Sequence, residues 1–197
     1  MSGTSPRLVT WENGTDLVIE LLLARDVETV WNALTDSESV RAWFAPFRLG
    51  AGTGAEESDT ADEADSDGSA ARPITFALED IDLNGSVLSC EDFDHVLLEL
   101  DDFGMLGIRV LPIEGETCQE TLLVFTHSAP DAETARGQAA EVGPMWDTHL
   151  RLLARTLGMD IAEVTESELV AIYSDLDLEM ADSGDGAGAA SADGAES

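Results

Sequence analysis

The chain has 197 residues and 44% hydrophobic side chains, enough for one domain with a real core. Its formal net charge is −32, from 41 acids against 9 bases, and every base is arginine. Such a charge repels nucleic acid and anionic membrane surfaces, and no apolar run approaches the roughly 18 residues that span a bilayer.

Dropping lysine altogether while multiplying carboxylates is the composition of a halophilic protein. Molar salt shortens the Debye length to about 3 Å and so screens the self-repulsion that would loosen the fold in dilute buffer. An acidic disordered chain is the alternative, but four tryptophans, six phenylalanines and patterned apolar runs argue for a folded body. Met1 to Thr10 lacks the basic and apolar blocks of a signal peptide, so the expected compartment is the cytoplasm. Cys90 and Cys118 have neither CxxC nor zinc spacing and read as reduced thiols packed in strands.

Leu17 to Ala24 (LVIELLLA) reads as a strand, and the Asn13-Gly14 turn leaves open a continuation back to Val9. Asp26 is a candidate N-cap for a short helix whose apolar face is Val27, Val30, Trp31 and Leu34. Thr35 and Glu38 have capping-box spacing and open a second short helix, with Val40, Trp43, Phe44 and Phe47 as its apolar side and Pro46 as its limit. Residues 53–71 then carry seven carboxylates, no base and nothing apolar larger than alanine. That segment, and 181–197 with four more acids, cannot bury enough surface to offset the entropy of ordering, so both are expected to be disordered.

Strand-like runs follow at Ile74–Leu78, Gly85–Cys90, Val96–Leu100, Leu106–Leu111 and Thr117–His127. They are separated by short turns at Asn84-Gly85, Glu91–Asp94, Asp101–Gly104 and Pro112–Gly115, the linkage of an antiparallel meander. The last long element begins near Asp131. Ala135, Ala139, Val142, Trp146, Leu150, Leu153 and Leu157 share one helical face, with Asp147, Arg151 and Arg155 opposite. Gly143-Pro144 predicts a kink or break, Gly158 suits the C-cap, and a capping box at Thr165 and Glu168 opens a short added helix to about Asp177.

The order implies an α+β fold: a curved antiparallel sheet of about six strands wrapped on a long C-terminal helix, with two short helices after the first strand. Such an arrangement leaves room for a cavity between sheet and helix. The cavity lining expected from face and register is Trp31 and Trp43 from the small helices, Ile74, Phe76, Leu78 and Val124 or Phe125 from the sheet, and Trp146, His149, Leu150 and Leu153 from the last helix. A pocket of that make-up normally measures roughly 300–1,000 Å³.

These residues resemble the heat-shock protein 90 ATPase activator-like branch of the START/SRPBCC superfamily. The resemblance lies in Val30-Trp31, Ala33-Leu34-Thr35-Asp36 and Trp43-Phe44. It continues in Asn84 to Leu88, in Ile108–Leu111 followed by Leu122–His127, and in Gly143-Pro144-Met145-Trp146 with His149, Leu150 and Leu153. It covers roughly residues 15–158 outside the acidic insert. Met145 stands where the family usually has glycine, and its flexible thioether would narrow or reshape the cavity mouth.

The resemblance implies a helix-grip fold with a START-like domain over 15–158. Residues 1–14 would form an N-terminal extension, 53–71 an acidic disordered insert, 159–180 a short helical extension and 181–197 an acidic tail. It implies a non-catalytic domain that binds a hydrophobic small molecule. A protein-interaction or co-chaperone-like module stands as the alternative, and a cyclase or hydrolase using the cavity as a weaker one. Candidate partners are therefore an apolar small molecule or a protein.

No phosphate loop, nucleophile elbow or dinucleotide fingerprint is present, and no cofactor is expected. His95, His127 and His149 show no metal-ligand spacing. His127 reads as a structural hydrogen bonder. His149 reads either as a polar contact for a ligand or as a satisfied core histidine.

Overall fold

The computed structural model describes residues 3–50, 71–114 and 119–181. The two stretches expected to be disordered, and Cys118, fall outside these residues except for Ala71 and Ala181.

The chain opens with a hairpin, β1 (Thr4–Trp11) and β2 (Gly14–Leu23), so the second of the two readings at Asn13-Gly14 describes it better: the turn reverses the chain. Helices α1 (Val27–Thr35) and α2 (Ser37–Val40) follow the second strand rather than the first. Asp26 caps α1 by accepting from the Thr29 N–H. Asp36, not Thr35, caps α2 by accepting from the Ser39 N–H, which leaves α2 a single turn. A short β3 (Phe47–Leu49) comes next, then a meander of β4 (Arg72–Ala77), β5 (Asp82–Glu91), β6 (His95–Leu100), β7 (Gly104–Glu114) and β8 (Gln119–Ala129). The long α3 (Ala132–Thr156), α4 (Glu166–Ser174) and β9 (Leu178–Met180) complete the described chain.

All nine strands form one sheet in the order β3-β4-β5-β6-β7-β8-β2-β1-β9. Every pairing is antiparallel except β9 against β1. About six strands were expected. The additional ones, β1, β3 and β9, are two edge-adding ribbons of three residues and a strand hidden in the presumed N-terminal extension. The sheet curves without closing. Part of the bend lies in β5, where the register shifts between Val87 and Ser89. An extra residue in one strand of a pair bends that strand and increases its twist.

Asn84-Gly85, a turn by composition, lies inside β5. Gly85 is needed there because a Cβ would stand 2.2 Å from the Glu99 carbonyl oxygen. The true turn precedes it, closed by the Leu78 N–H on the Ile81 carbonyl.

On β8 the alternation is complete: Thr121, Leu123, Phe125, His127 and Ala129 are buried and the intervening residues are partly exposed. Leu17, Ile19, Leu21 and Leu23 of β2 continue that inner face. α3 packs across β1, β2 and β8 and is continuous through Pro144, so Gly143-Pro144 does not break it. Asp131 caps its start and Gly158, at φ 75°, follows its end.

The side of α3 opposite the sheet is not solvent-facing as its charges implied. α4 lies over it, with Leu169 and Tyr173 buried, and Thr165 and Glu168 form the expected capping box. Gly143 permits this approach: a Cβ there would come within 2.2 Å of the Tyr173 ring. Beneath α4, Asp147 and Arg151 form a buried ion pair. Asp147 also accepts from the Thr4 hydroxyl (2.7 Å) and the Tyr173 hydroxyl (2.9 Å). Arg151 donates to the Thr4 hydroxyl (2.6 Å) and the Ala162 carbonyl (3.0 Å). Burial, with the Asp147 charge beside it, pushes the Tyr173 hydroxyl pKa well up, so it remains a donor. The network joins β1, α3, the loop after it and α4.

Candidate functional site: an apolar cavity beneath the long helix

On the other side of α3 lies a cavity of about 150 Å³, between the helix and the β4–β8 half of the sheet. Leu34, Thr35 and Val40 come from the small helices, and Trp43 and Phe44 from the loop after them. α3 contributes Trp146, His149 and Leu150. The sheet supplies Phe47, Ile74, Phe76, Val87, Val96, Leu98, Leu100, Leu106, Ile108 and Phe125. The exposed Leu49, Arg72 and Cys90 mark where it opens. The volume is smaller than the 300 Å³ lower bound expected for a drug-sized site.

Of the eleven positions expected to line or shape it, Trp43, Ile74, Phe76, Phe125, Trp146, His149 and Leu150 do so. The other four stand elsewhere, each for a physical reason. Trp31 is buried but packs on Phe93, ring centroids 6.1 Å apart. Leu78 would share the inward face of Ile74 and Phe76, but β4 ends at Ala77 and Leu78 begins a turn, 37% exposed. Met145 is partly buried against the core without reaching the wall, so it does not shape the mouth. Leu153 is fully buried in the core one turn beyond Leu150. Leu98, Leu106 and Ile108 were missed, although alternation along β6 and β7 marks them as inward-facing. Phe44 was assigned to an apolar helix side without being assigned to the cavity.

Phe44 is the centre of an aromatic cluster. Its ring meets His149 edge-on at 5.0 Å and Phe76 edge-on at 5.2 Å, and lies 5.8 Å from Trp146. Trp146 is further enclosed by Phe125 at 5.2 Å and Phe103 at 5.3 Å. Polar atoms in this wall are few. The Trp43 indole N–H donates to the Ala33 carbonyl (2.9 Å) and the Thr35 hydroxyl to the Trp31 carbonyl (2.8 Å). His149 Nδ1 donates to the Trp43 carbonyl (2.7 Å), tying α3 to the loop after α2. The two readings of His149 thus coincide: it is hydrogen-bonded to the backbone and also faces the cavity. The Trp146 indole N–H is buried without an acceptor among the described residues. At the mouth, burial and the nearby Asp92 raise the Cys90 thiol pKa, Arg72 opposing, so the thiol is not activated as a nucleophile.

His127 donates through Nε2 to the Phe103 carbonyl (2.6 Å), and burial lowers its pKa. His95 lies on the outer face of the sheet in a Ser89–His95–Asp94 chain, with contacts of 2.9 and 2.7 Å. This chain has the connectivity of a catalytic triad, which spacing did not reveal because the β5 bulge places Ser89 opposite Leu97. Its carboxylate is shared with the Arg109 guanidinium, which together with His95 lowers the Asp94 pKa. It borders an open groove of about 320 Å³ rather than an enclosure that would exclude water. Glu91, Asp94 and His95 also place one ligand atom each within 4.8 Å of one another, but Asp94 and His95 are already engaged as described.

Solved structures of similar shape exist at low identity. CalU16 from Micromonospora echinospora, in its solution structure, is 18% identical over 89% of this chain and 95% of its own, with a TM-score of 0.58. A conserved protein of unknown function, EF2215 from Enterococcus faecalis, is 15% identical over 86% of this chain and 88% of its own, also at 0.58. The protein encoded by gene BPP1335 of Bordetella parapertussis is 19% identical over 83% and 87%, at 0.54. These neighbours have helix-grip-like folds. The fold of this chain is a helix grip. No protein-family model and no curated protein matches it. The helix grip here is extended at both sheet edges, and no helix among the described residues is long and apolar enough to cross a membrane.

Proposed function

We propose that this helix-grip domain binds an apolar small molecule, without catalysis, in the cavity between α3 and the sheet. The observation that carries the reading is the cavity itself: an almost wholly apolar wall with a single histidine and one unpartnered indole N–H. Packed interiors have few voids larger than a water molecule, and an apolar void of this size is costly unless something fills it. The ligand contacts in this reading are Trp43, Ile74, Phe76, Phe125, Trp146, His149 and Leu150, joined by Phe44 and the inward side chains of β6 and β7.

A second reading, a protein-interaction module of the heat-shock protein 90 ATPase activator-like branch, rests on the order of the sequence motifs. Of those motif residues, Leu34, Thr35, Trp43, Phe44, Trp146, His149 and Leu150 line the cavity rather than an exposed surface. Asp36 caps α2, Trp43 bonds Ala33, and His149 bonds Trp43. That placement favours the small-molecule reading. The lysine-free, strongly acidic composition further supports a protein that works in the cytoplasm of a salt-loving, haloarchaeal-type organism.

Native mass spectrometry of the full chain in volatile salt separates the two readings. A co-purified small molecule supports the first, and a stoichiometric protein partner the second.

A further inference from the structure

The polar atoms of the cavity wall specify more than an apolar ligand. Trp146 is 5% exposed, and its Nε1 N–H has no acceptor among the described residues. Its ring neighbours Phe44, Phe103 and Phe125 offer no conventional one. His149 supplies the complement. The Trp43 carbonyl can only accept, so His149 Nδ1 carries the proton of that bond, which in the singly protonated tautomer leaves a lone pair on Nε2. No protein group bonds Nε2 among the described residues. The two residues, both of which line the cavity, therefore carry one unpartnered donor and one unpartnered acceptor among the described residues. The two rings are neighbours in that wall, with centroids 6.4 Å apart.

Resting on the small-molecule reading above, we propose that the ligand is a neutral, hydroxylated ring compound of phenol size. Its hydroxyl donates to His149 Nε2 and accepts from Trp146 Nε1–H, while the ring lies among Phe44, Phe76 and the apolar strand residues. Three physical points lead to that class. The cavity of about 150 Å³ accommodates a six-membered ring and little more. A hydroxyl is both donor and acceptor, so one group satisfies both atoms, whereas an ether or ketone satisfies only the indole. A carboxylate would enter against a chain of net charge −32, with Arg72 at the rim as its one cation in the wall. A trapped water could make the same two bonds, but it would leave the apolar remainder of the cavity unfilled.

The test is calorimetric titration of the full chain with toluene, phenol and benzoate, with the Trp146 indole N–H followed by NMR. Toluene is the more apolar of the two neutral probes, so simple partition favours it. The proposal requires the reverse: phenol binding about fivefold or more tighter than toluene, since relieving a buried unpaired donor is worth roughly fivefold to a hundredfold. It also requires a downfield move of the Trp146 N–H with phenol and none with toluene. Trp146→Phe and His149→Phe should each remove most of the preference while retaining toluene binding. Should either variant fail to fold, the wild-type preference and the wild-type N–H signal decide alone. Equal saturable binding of phenol and toluene overturns the hydroxyl assignment and leaves the apolar-cavity reading standing. Tightest binding by benzoate overturns it in favour of the Arg72 rim. Saturable binding of none of the three overturns both.

Discussion

The two sides of α3 are both buried, and they are built on opposite terms. Toward the sheet, Trp146, His149 and Leu150 line an apolar cavity, and the Trp146 indole N–H has no partner among the described residues. Toward α4, Asp147 and Arg151 sit in a network that gives Asp147 three donors. A buried ion pair with its remaining valences satisfied holds elements together, and removing one member leaves an uncompensated charge. An unsatisfied atom beside a void has no such structural use and is where an incoming molecule gains most. One 25-residue helix thus separates scaffold from site, face by face.

The comparison breaks most readily at Asp147. Asp147→Ala strands the Arg151 guanidinium and two hydroxyls, and should cost about 3–5 kcal/mol in a chemical melt. The pair is buried, so the cost should persist in molar salt, where surface charges are screened. A loss under 1 kcal/mol, or one that vanishes at 2 M KCl, would place that network at the surface in solution. Raising KCl from 0.1 to 2 M should instead raise the melting midpoint of the parent by relieving repulsion among its exposed acids. Equal midpoints would count against the halophilic reading.

Gly143→Ala presses a methyl into the Tyr173 ring and should cost about 1–3 kcal/mol. Alanine is the better helix former, so an unchanged or raised stability would mean that α4 does not lie on α3. On the opposite face, His149→Leu should cost a similar 1–3 kcal/mol, because it strands the Trp43 carbonyl, and it should also alter uptake of a fluorescent apolar probe. Gly143→Ala should leave that uptake unchanged. A His149→Leu protein with parental stability and parental uptake would remove the histidine from the account.

The smallest effect concerns His127. Burial depresses its folded pKa below the ordinary 6.5, so the unfolded chain binds the proton more readily. Between the two pKa values the unfolded state carries more protons, and stability rises with pH there. Its contribution is therefore complete above about pH 6.5 and declines as the pH falls through that value toward the lower folded pKa. His127→Gln should flatten this limb of the stability–pH curve. A limb of unchanged slope in the variant would assign it to other groups.

Much of this fold was legible in the sequence, and the failures have specific causes. The five meander strands, the start of the long helix near Asp131 and the box at Thr165 follow from alternation, helical periodicity and capping chemistry that act within a few residues. The fate of Asp147 and Arg151 did not, because helical periodicity assigns faces without saying what covers them. Thr4 and Tyr173, which complete the network, lie far away in the chain. The short edge strands β3 and β9 are too brief to show a period, and the N-terminal stretch showed its strand only as one of two readings. For the cavity, register placed Phe76 and Phe125 on its wall but failed at Leu78, where a turn interrupts the strand. The Trp146 vacancy was invisible because an indole without a partner and an indole with one have the same sequence.

The central claim, that the cavity side of α3 is the site and the α4 side is scaffold, is tested most directly by methyl NMR of the full chain during a toluene titration. Saturable shifts should gather at Ile74, Val96, Leu98, Leu106 and Leu150, while Leu169, the buried leucine of α4, stays unmoved. Shifts that never saturate, or that centre on Leu169 and its neighbours, would contradict the account.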